Sequence, residues 1–215
     1  STADVAFRQL AKVKSGECVL VHAASGGTGL AAVQIAIAAG ATVIGTASEP
    51  KRAYVKSQGA SFVFNSRDTT FANDVLEATG GAGVDVVLNS LTSEGFVAAT
   101  LSVLNRGGRF VEIGKRNIWS VEQMGAERPD VEYHILALDG MTAARPECGR
   151  ELLNGLRPRF ESDRGDLRAL RTEVFPSQRV SSAFQYMSKA KQIGKIVVQM
   201  SPRDKQARSE NLLSD

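Results

Sequence analysis

Three glycines set close together, Gly26, Gly27 and Gly29, constrain this chain more than any other feature. Residues 18–22 before them form a short apolar, β-prone run. After them Leu30, Val33, Gln34 and Ile37 recur among alanines up to Gly40. This spacing predicts strand, tight turn and helix over residues 18–40. Glycines at such a turn let backbone N–H groups approach a negative group at the helix N-terminus, where the helix dipole also favours anions. Those are the mechanics of a dinucleotide pyrophosphate site, with Ser25, Gly26, Gly27, Thr28 and Gly29 as its candidate residues. The pattern is not the standard G-x-G-x-x-G, and its weight comes from its setting: a second β-prone run, 41–47, follows at once.

In a βαβ unit of this kind the ribose is recognised near the end of the second strand. There the chain offers Ser48, Lys51 and Arg52, with Glu49 the only nearby acid. Hydroxyl and basic groups suit a 2′-phosphate, so NADP(H) is favoured over NAD(H). The alternative is structural: Ser48 caps a helix, Pro50 stands at its first position, and Lys51 and Arg52 are solvated.

The 215 residues can bury a substantial core. A net charge of +3, with acids and bases interspersed, leaves no basic tract for nucleic acid. Cys18 and Cys148 are the only cysteines, His22 and His134 the only histidines, and neither C-x-x-C nor H-x-x-x-H occurs. No metal site is expected. Cys18 reads as a small core residue of a buried strand. No signal peptide or membrane-length apolar run is visible, so no membrane role is expected and a reducing cytoplasm is the default.

Along the chain, residues 1–14 have helical spacing. Strands are expected at 18–22, 41–47, 61–65, 84–89, 109–113 and 131–136. Helices are expected at 51–58, 71–79, 92–104 and 146–160, with 105–108 a turn and 117–129 irregular or weakly helical. Later come a β-like stretch at 173–175, an amphipathic helix at 180–189 with Ser177 as its N-cap, and a last strand at 195–200. Strands alternating with helices predict an α/β fold with a doubly wound parallel sheet. Ligands of such sheets bind beyond the carboxyl ends of the strands. Residues 25–29, 48–52, Asn89 with Ser90, and Gly114 with Lys115 all fall there.

Four motifs then coincide in order: V-L-V-H-A-A-S-G-G-T-G at 19–29, D-V-V-L-N-S-L at 85–91, G-G-R-F-V-E-I-G-K at 107–115 and I-G-K-I-V-V at 193–198. Over roughly residues 1–200 the chain resembles the enoyl reductase domain of modular polyketide synthases, within the medium-chain dehydrogenase/reductase superfamily. The resemblance implies a Rossmann-like doubly wound sheet over 1–165, with its leading helix. Residues 166–200 are then a return segment toward an otherwise absent substrate (barrel) domain, and 201–215 a flexible linker.

It also implies NADPH-dependent reduction of a 2,3-enoyl thioester tethered to an acyl carrier protein, among neighbouring synthase domains. Lys51 and Arg67, helped by Ser48, match the residues facing the adenosine 2′-phosphate. Asn89, Ser90, Leu91 and Gly114 match the nicotinamide side, and Lys195 on the closing strand matches a further cofactor contact. Lys115 matches a lysine that donates a proton or supports the enolate, and Asp139 matches a second acid-base candidate. Asn117 departs from the family, which often has an acid there. Tyr54, Tyr133 and Tyr186 do not match the tyrosine donor of some members. With the substrate domain outside the chain, cofactor binding with little or no reduction by the fragment alone is expected. Ring-forming chemistry, a non-catalytic module and a stand-alone quinone reductase are the alternatives.

Overall fold

The computed structural model describes residues 1–161 and 166–200; the stretch 201–215, expected to be a linker, lies outside them. The chain divides into two compact units, Ser1–Ala169 and Leu170–Asp215. The first carries the expected doubly wound sheet. Its strands are β1 (Cys18–Val21), β2 (Thr42–Ala47), β3 (Phe62–Asn65), β4 (Val84–Asn89), β5 (Leu104–Glu112) and β6 (Glu132–Ile135). They lie in the order β3-β2-β1-β4-β5-β6, and every pairing is parallel. All six therefore end on one edge. The central strands bury Val19, Leu20, Val21, Val86, Val87 and Leu88, as strands covered on both faces must.

The helices between them are α2 (Gly27–Ala38), α3 (Glu49–Ser57), α4 (Phe71–Ala78), α5 (Phe96–Ser102), α6 (Val121–Glu127), α7 (Leu138–Ala144) and α8 (Pro146–Glu161). Phe71, Phe96 and Phe110 anchor a core cluster beneath α4 and α5, with Val75, Leu101 and Met124. The leading helix is irregular. A short α1 (Thr2–Asp4) runs into a wider π-type stretch, Val5–Leu10, closed by the Ala11 amide donating to the Ala6 carbonyl at 2.8 Å. Asp4 is buried there and takes a hydrogen bond from Arg159 of α8 at 3.0 Å.

Several expected boundaries move for local reasons. The helix expected from 92 starts at Phe96, because Gly95 at its N-cap sits in the left-handed region, φ 80°. The turn expected at 105–108 is a loop-out inside β5: Val84 pairs with Leu104 but Val86 with Arg109. The weakly helical stretch contains α6, fixed by a capping box between Ser120 and Gln123. Pro50 occupies the second helical position of α3, not the first, and Ser48 makes no side-chain capping bond. Cys18 is half-buried, and burial beside Asp85 pushes its thiol up to about 11.

The described part of the second unit pairs β7 (Thr172–Pro176) in parallel with β8 (Lys195–Gln199). Between them runs α9 (Val180–Ser188). Ser177 opens a single 3-10 turn, and the N-cap of α9 is Arg179, so the expected Ser177 cap is not made. Phe175 packs on Tyr186 with ring centroids 5.8 Å apart. Val180, Phe184 and Met187 are all exposed.

The close packing of α2 on β1 rests on Gly29. A Cβ built there would stand 2.5 Å from the Ala23 carbonyl oxygen and 2.6 Å from the Ala24 Cα, both backbone. At Gly26 the nearest atom would be 3.4 Å away. Gly29→Ala is therefore expected to cost roughly 1–3 kcal/mol of unfolding free energy, as overpacking does, and Gly26→Ala far less. Denaturant unfolding of the two variants checks this.

Candidate functional site

The glycine turn leaves β1 with a hairpin of backbone bonds. The Ala24 amide donates to the Thr46 carbonyl at 2.8 Å and the Gly26 amide to the Ala23 carbonyl at 3.0 Å. The left-handed residue of this turn is Ala23, φ 48°, whereas Gly26 is extended, φ −76° and ψ 167°. Gly26 is the N-cap of α2 and brings no side-chain capping bond. The first amides of α2, Gly27, Thr28 and Gly29, have no partner inside the helix. This is the open, positively polarised helix end that an anion requires. Ser25, nearly buried, sits in the turn beside it.

His22, at the end of the same strand, holds the turn from below. It is buried, with Nδ1 3.0 Å from Thr46 Oγ1 and Nε2 2.9 Å from Thr100 Oγ1. The Thr100 hydroxyl donates to the Phe96 carbonyl at 2.8 Å, so it accepts from Nε2–H. Nδ1 then accepts from Thr46, whose oxygen takes the Ala23 amide at 3.2 Å. The ring is neutral: burial pushes its pKa from 6.5 down to about 3.

Four further groups from the sequence come to the same sheet edge. Ser48, Lys51 and Arg52 follow β2, and Arg67 follows β3, whose Asn65 is paired with Ala47. The Lys51 ammonium is held below its usual range, first by burial and then by the neighbouring Arg67 guanidinium. Two cations thus lie near each other at this edge. Arg52 instead donates Nε to the Ala47 carbonyl at 3.3 Å. Asp68, next to Arg67, is engaged by Thr70 and Asn65. Ser90 and Leu91 follow β4 and are half-buried. Asn89 is fully buried, its side chain turned to Glu112 and to the Leu91 amide.

Lys115 and Asp139 form an ion pair. Asp139 lies in the first turn of α7, a helix the sequence spacing did not reveal. The Lys115 hydrogen bond and charge hold its carboxyl below the usual range. Both side chains are about two-thirds exposed, at 67% and 65%, so the pair adds little to stability. A cavity of about 440 Å³ joins Lys115 and Asp139 to Thr28 of α2, with Ile113 and Leu136 in its wall. Gly114 precedes Lys115, and its amide donates to Glu112 Oε1 at 2.6 Å. Lys195, by contrast, lies on β8 in the second unit. Among the described residues no three His, Cys, Asp or Glu side chains converge to hold a metal ion, and no helix is long and apolar enough to cross a membrane.

The zinc-binding dehydrogenase family matches residues 27–134. Over 201 residues the chain is 42% identical to the pikromycin polyketide synthase component PikAII of Streptomyces venezuelae, covering 93% of this chain and 5% of that protein. The CurF ER cyclopropanase of the curacin A pathway is 44% identical with a TM-score of 0.89, over 93% of this chain and 59% of that one. The nucleotide-binding subdomain of the enoylreductase domain of PpsC from Mycobacterium tuberculosis is 36% identical with a TM-score of 0.70, over 79% of this chain and 94% of that one. This chain belongs to the polyketide synthase enoyl reductase family, within the medium-chain dehydrogenase/reductases. It spans a small part of the synthases it matches and about three-fifths of CurF. Membership in this family implies a nicotinamide coenzyme.

Two groups of this reductase edge went unread in the sequence. Glu112 is a charged residue inside an otherwise apolar strand, and His22 closes another. Each could have been found as a titratable residue in a run buried on both faces. His22 also sets a pH dependence. Between pH 6.5 and 3 the unfolded chain binds a proton that the folded ring refuses, so His22 lowers stability as pH falls below 6.5 and has no such effect above it. From pH 7 to 5 this amounts to roughly 2 kcal/mol. Urea unfolding is expected to show that loss relative to His22→Gln, which cannot titrate.

Proposed function

We propose that this chain is the coenzyme half of an NADPH-dependent enoyl reductase acting on a 2,3-enoyl thioester carried by an acyl carrier protein. The observation that carries the reading is the uncapped N-terminus of α2 on the same sheet edge as Lys51 and Arg67. The donor set fits a dinucleotide: the amides of Gly27, Thr28 and Gly29 for the diphosphate, and Lys51 and Arg67, with Ser48, for the 2′-phosphate.

The chemistry a reduced nicotinamide supplies when bound is hydride for the β-carbon of the enoyl group. Lys115 places a cation where negative charge develops on the thioester oxygen, and carries a proton that the α-carbon can take. Asp139 is ionised beside it. It therefore pairs with Lys115 and orients it. Ile113 and Leu136 supply an apolar wall at this end. The residues given span about three-fifths of CurF and a small part of PikAII, and in this reading they bind coenzyme with little or no reduction by themselves. Neighbouring synthase domains and the acyl carrier protein are its partners in this reading.

The likeness to the CurF cyclopropanase supports a second reading, in which the same edge serves ring closure. Products of the complete domain from halogenated and unhalogenated enoyl thioesters separate the two.

Fluorescence titration tests the coenzyme assignment. NADPH is expected to bind at least about tenfold more tightly than NADH, since a charged contact to the phosphate is worth about 1.5 kcal/mol. Lys51→Ala with Arg67→Ala is expected to remove that preference and leave NADH binding unchanged. Equal affinities in the wild type would overturn the 2′-phosphate assignment.

A further inference from the structure

We infer that Asn89 and Glu112 form a buried clamp that sets the two nicotinamide-side loops, which makes Glu112 a positioning residue of this site. The inference rests on the coenzyme reading above. Asn89 ends β4 and Glu112 ends β5, paired with each other across the sheet. Both side chains are fully buried. Asn89 Nδ2 donates to Glu112 Oε2 at 2.5 Å. Each residue then ties down the loop that follows its own strand. Asn89 Oδ1 accepts from the Leu91 amide at 3.2 Å, and Glu112 Oε1 accepts from the Gly114 amide at 2.6 Å. The Ile113 amide donates to the Asn89 carbonyl at 3.0 Å, so the loops are also stitched through backbone.

Every polar atom of the two side chains that meets the loops is matched, donor to acceptor. Only a carboxylate can accept with both oxygens here. Gly114 shows how close the fit is: a Cβ there would stand 2.7 Å from Glu112 Oε1 and 2.9 Å from Thr92 Cγ2. An ionisable group in the dry interior is costly unless fully hydrogen-bonded. Burial raises the Glu112 carboxyl, and the bonds from Asn89, Gly114 and Ile113 counter that rise. A hydrophobic residue would fill the same space without this cost. What it would lose is the fixed position of Gly114, and with it of Lys115 beside the cavity.

The swap of amide and carboxylate tests this in the 215-residue chain. In Glu112→Gln one of the two acceptors becomes a donor facing the donor of Asn89, so one tie must break. In Asn89→Asp/Glu112→Gln the carboxylate sits on β4 and the amide on β5, and all ties can form again. The ligands are NADPH and adenosine 2′,5′-bisphosphate, which spans only the phosphate end. Glu112→Gln is expected to weaken NADPH about fivefold, the net worth of one hydrogen bond. It should leave the bisphosphate unchanged, and the double swap should restore NADPH. Equal weakening of both ligands, unchanged NADPH, or no restoration overturns the clamp. A wild type that binds neither ligand removes the coenzyme reading, and the clamp with it.

Discussion

The structure depends on how closely the first turn of α2 lies against the end of β1. At Gly29 there is room for a hydrogen atom and for nothing larger, because the atoms opposite are the backbone of Ala23 and Ala24. That contact aims the helix axis at the sheet edge. It also leaves the amides of Gly27 and Thr28 facing outward. The turn that makes this possible does not use glycine flexibility in the usual way. Ala23 takes the left-handed conformation, and hydrogen bonds from its own amide and that of Ala24 to Thr46 hold it there. A non-glycine residue in that region costs energy, and such strain persists where the surroundings over-determine it.

Around this edge the two ends of the site are built from different physics. The end that carries Lys51 and Arg67 is electrostatic, with exposed or half-buried cations whose effect salt weakens. The other end is organised by burial. His22, Asn89 and Glu112 are polar groups in the driest part of the sheet, and each is satisfied by a specific set of partners. None of the three faces solvent, and each fixes a loop that does. The exposed pair Lys115 and Asp139, by contrast, adds little to stability.

Much of this could be read from residue order. The β4 strand appears where its apolar run places it, and the polar clusters after β1, β2, β4 and β5 share one edge because parallel strands require it. The shape of α2 was equally visible in its glycines and alanines. What escaped had no periodic signal. α7 begins at an Ala137 cap with no side-chain bond and buries none of its residues, so nothing apolar marks it. The π-type leading helix has helical spacing, which does not distinguish one helix width from another. The loop-out in β5 looks like a turn in sequence because it is one, inserted within a strand. Glu112 was visible as a letter in a motif, but its task depends on a cross-strand partner, which only register supplies.

The central claim is that the bare first turn of α2 grips a diphosphate. An amide NMR titration of the chain with NADPH measures this at the atoms concerned. The account predicts saturable shifts at Gly27, Thr28 and Gly29, together with Lys51 and Arg67, at one common affinity. Amides of α2 that stay unmoved while NADPH binds elsewhere on the chain would contradict it.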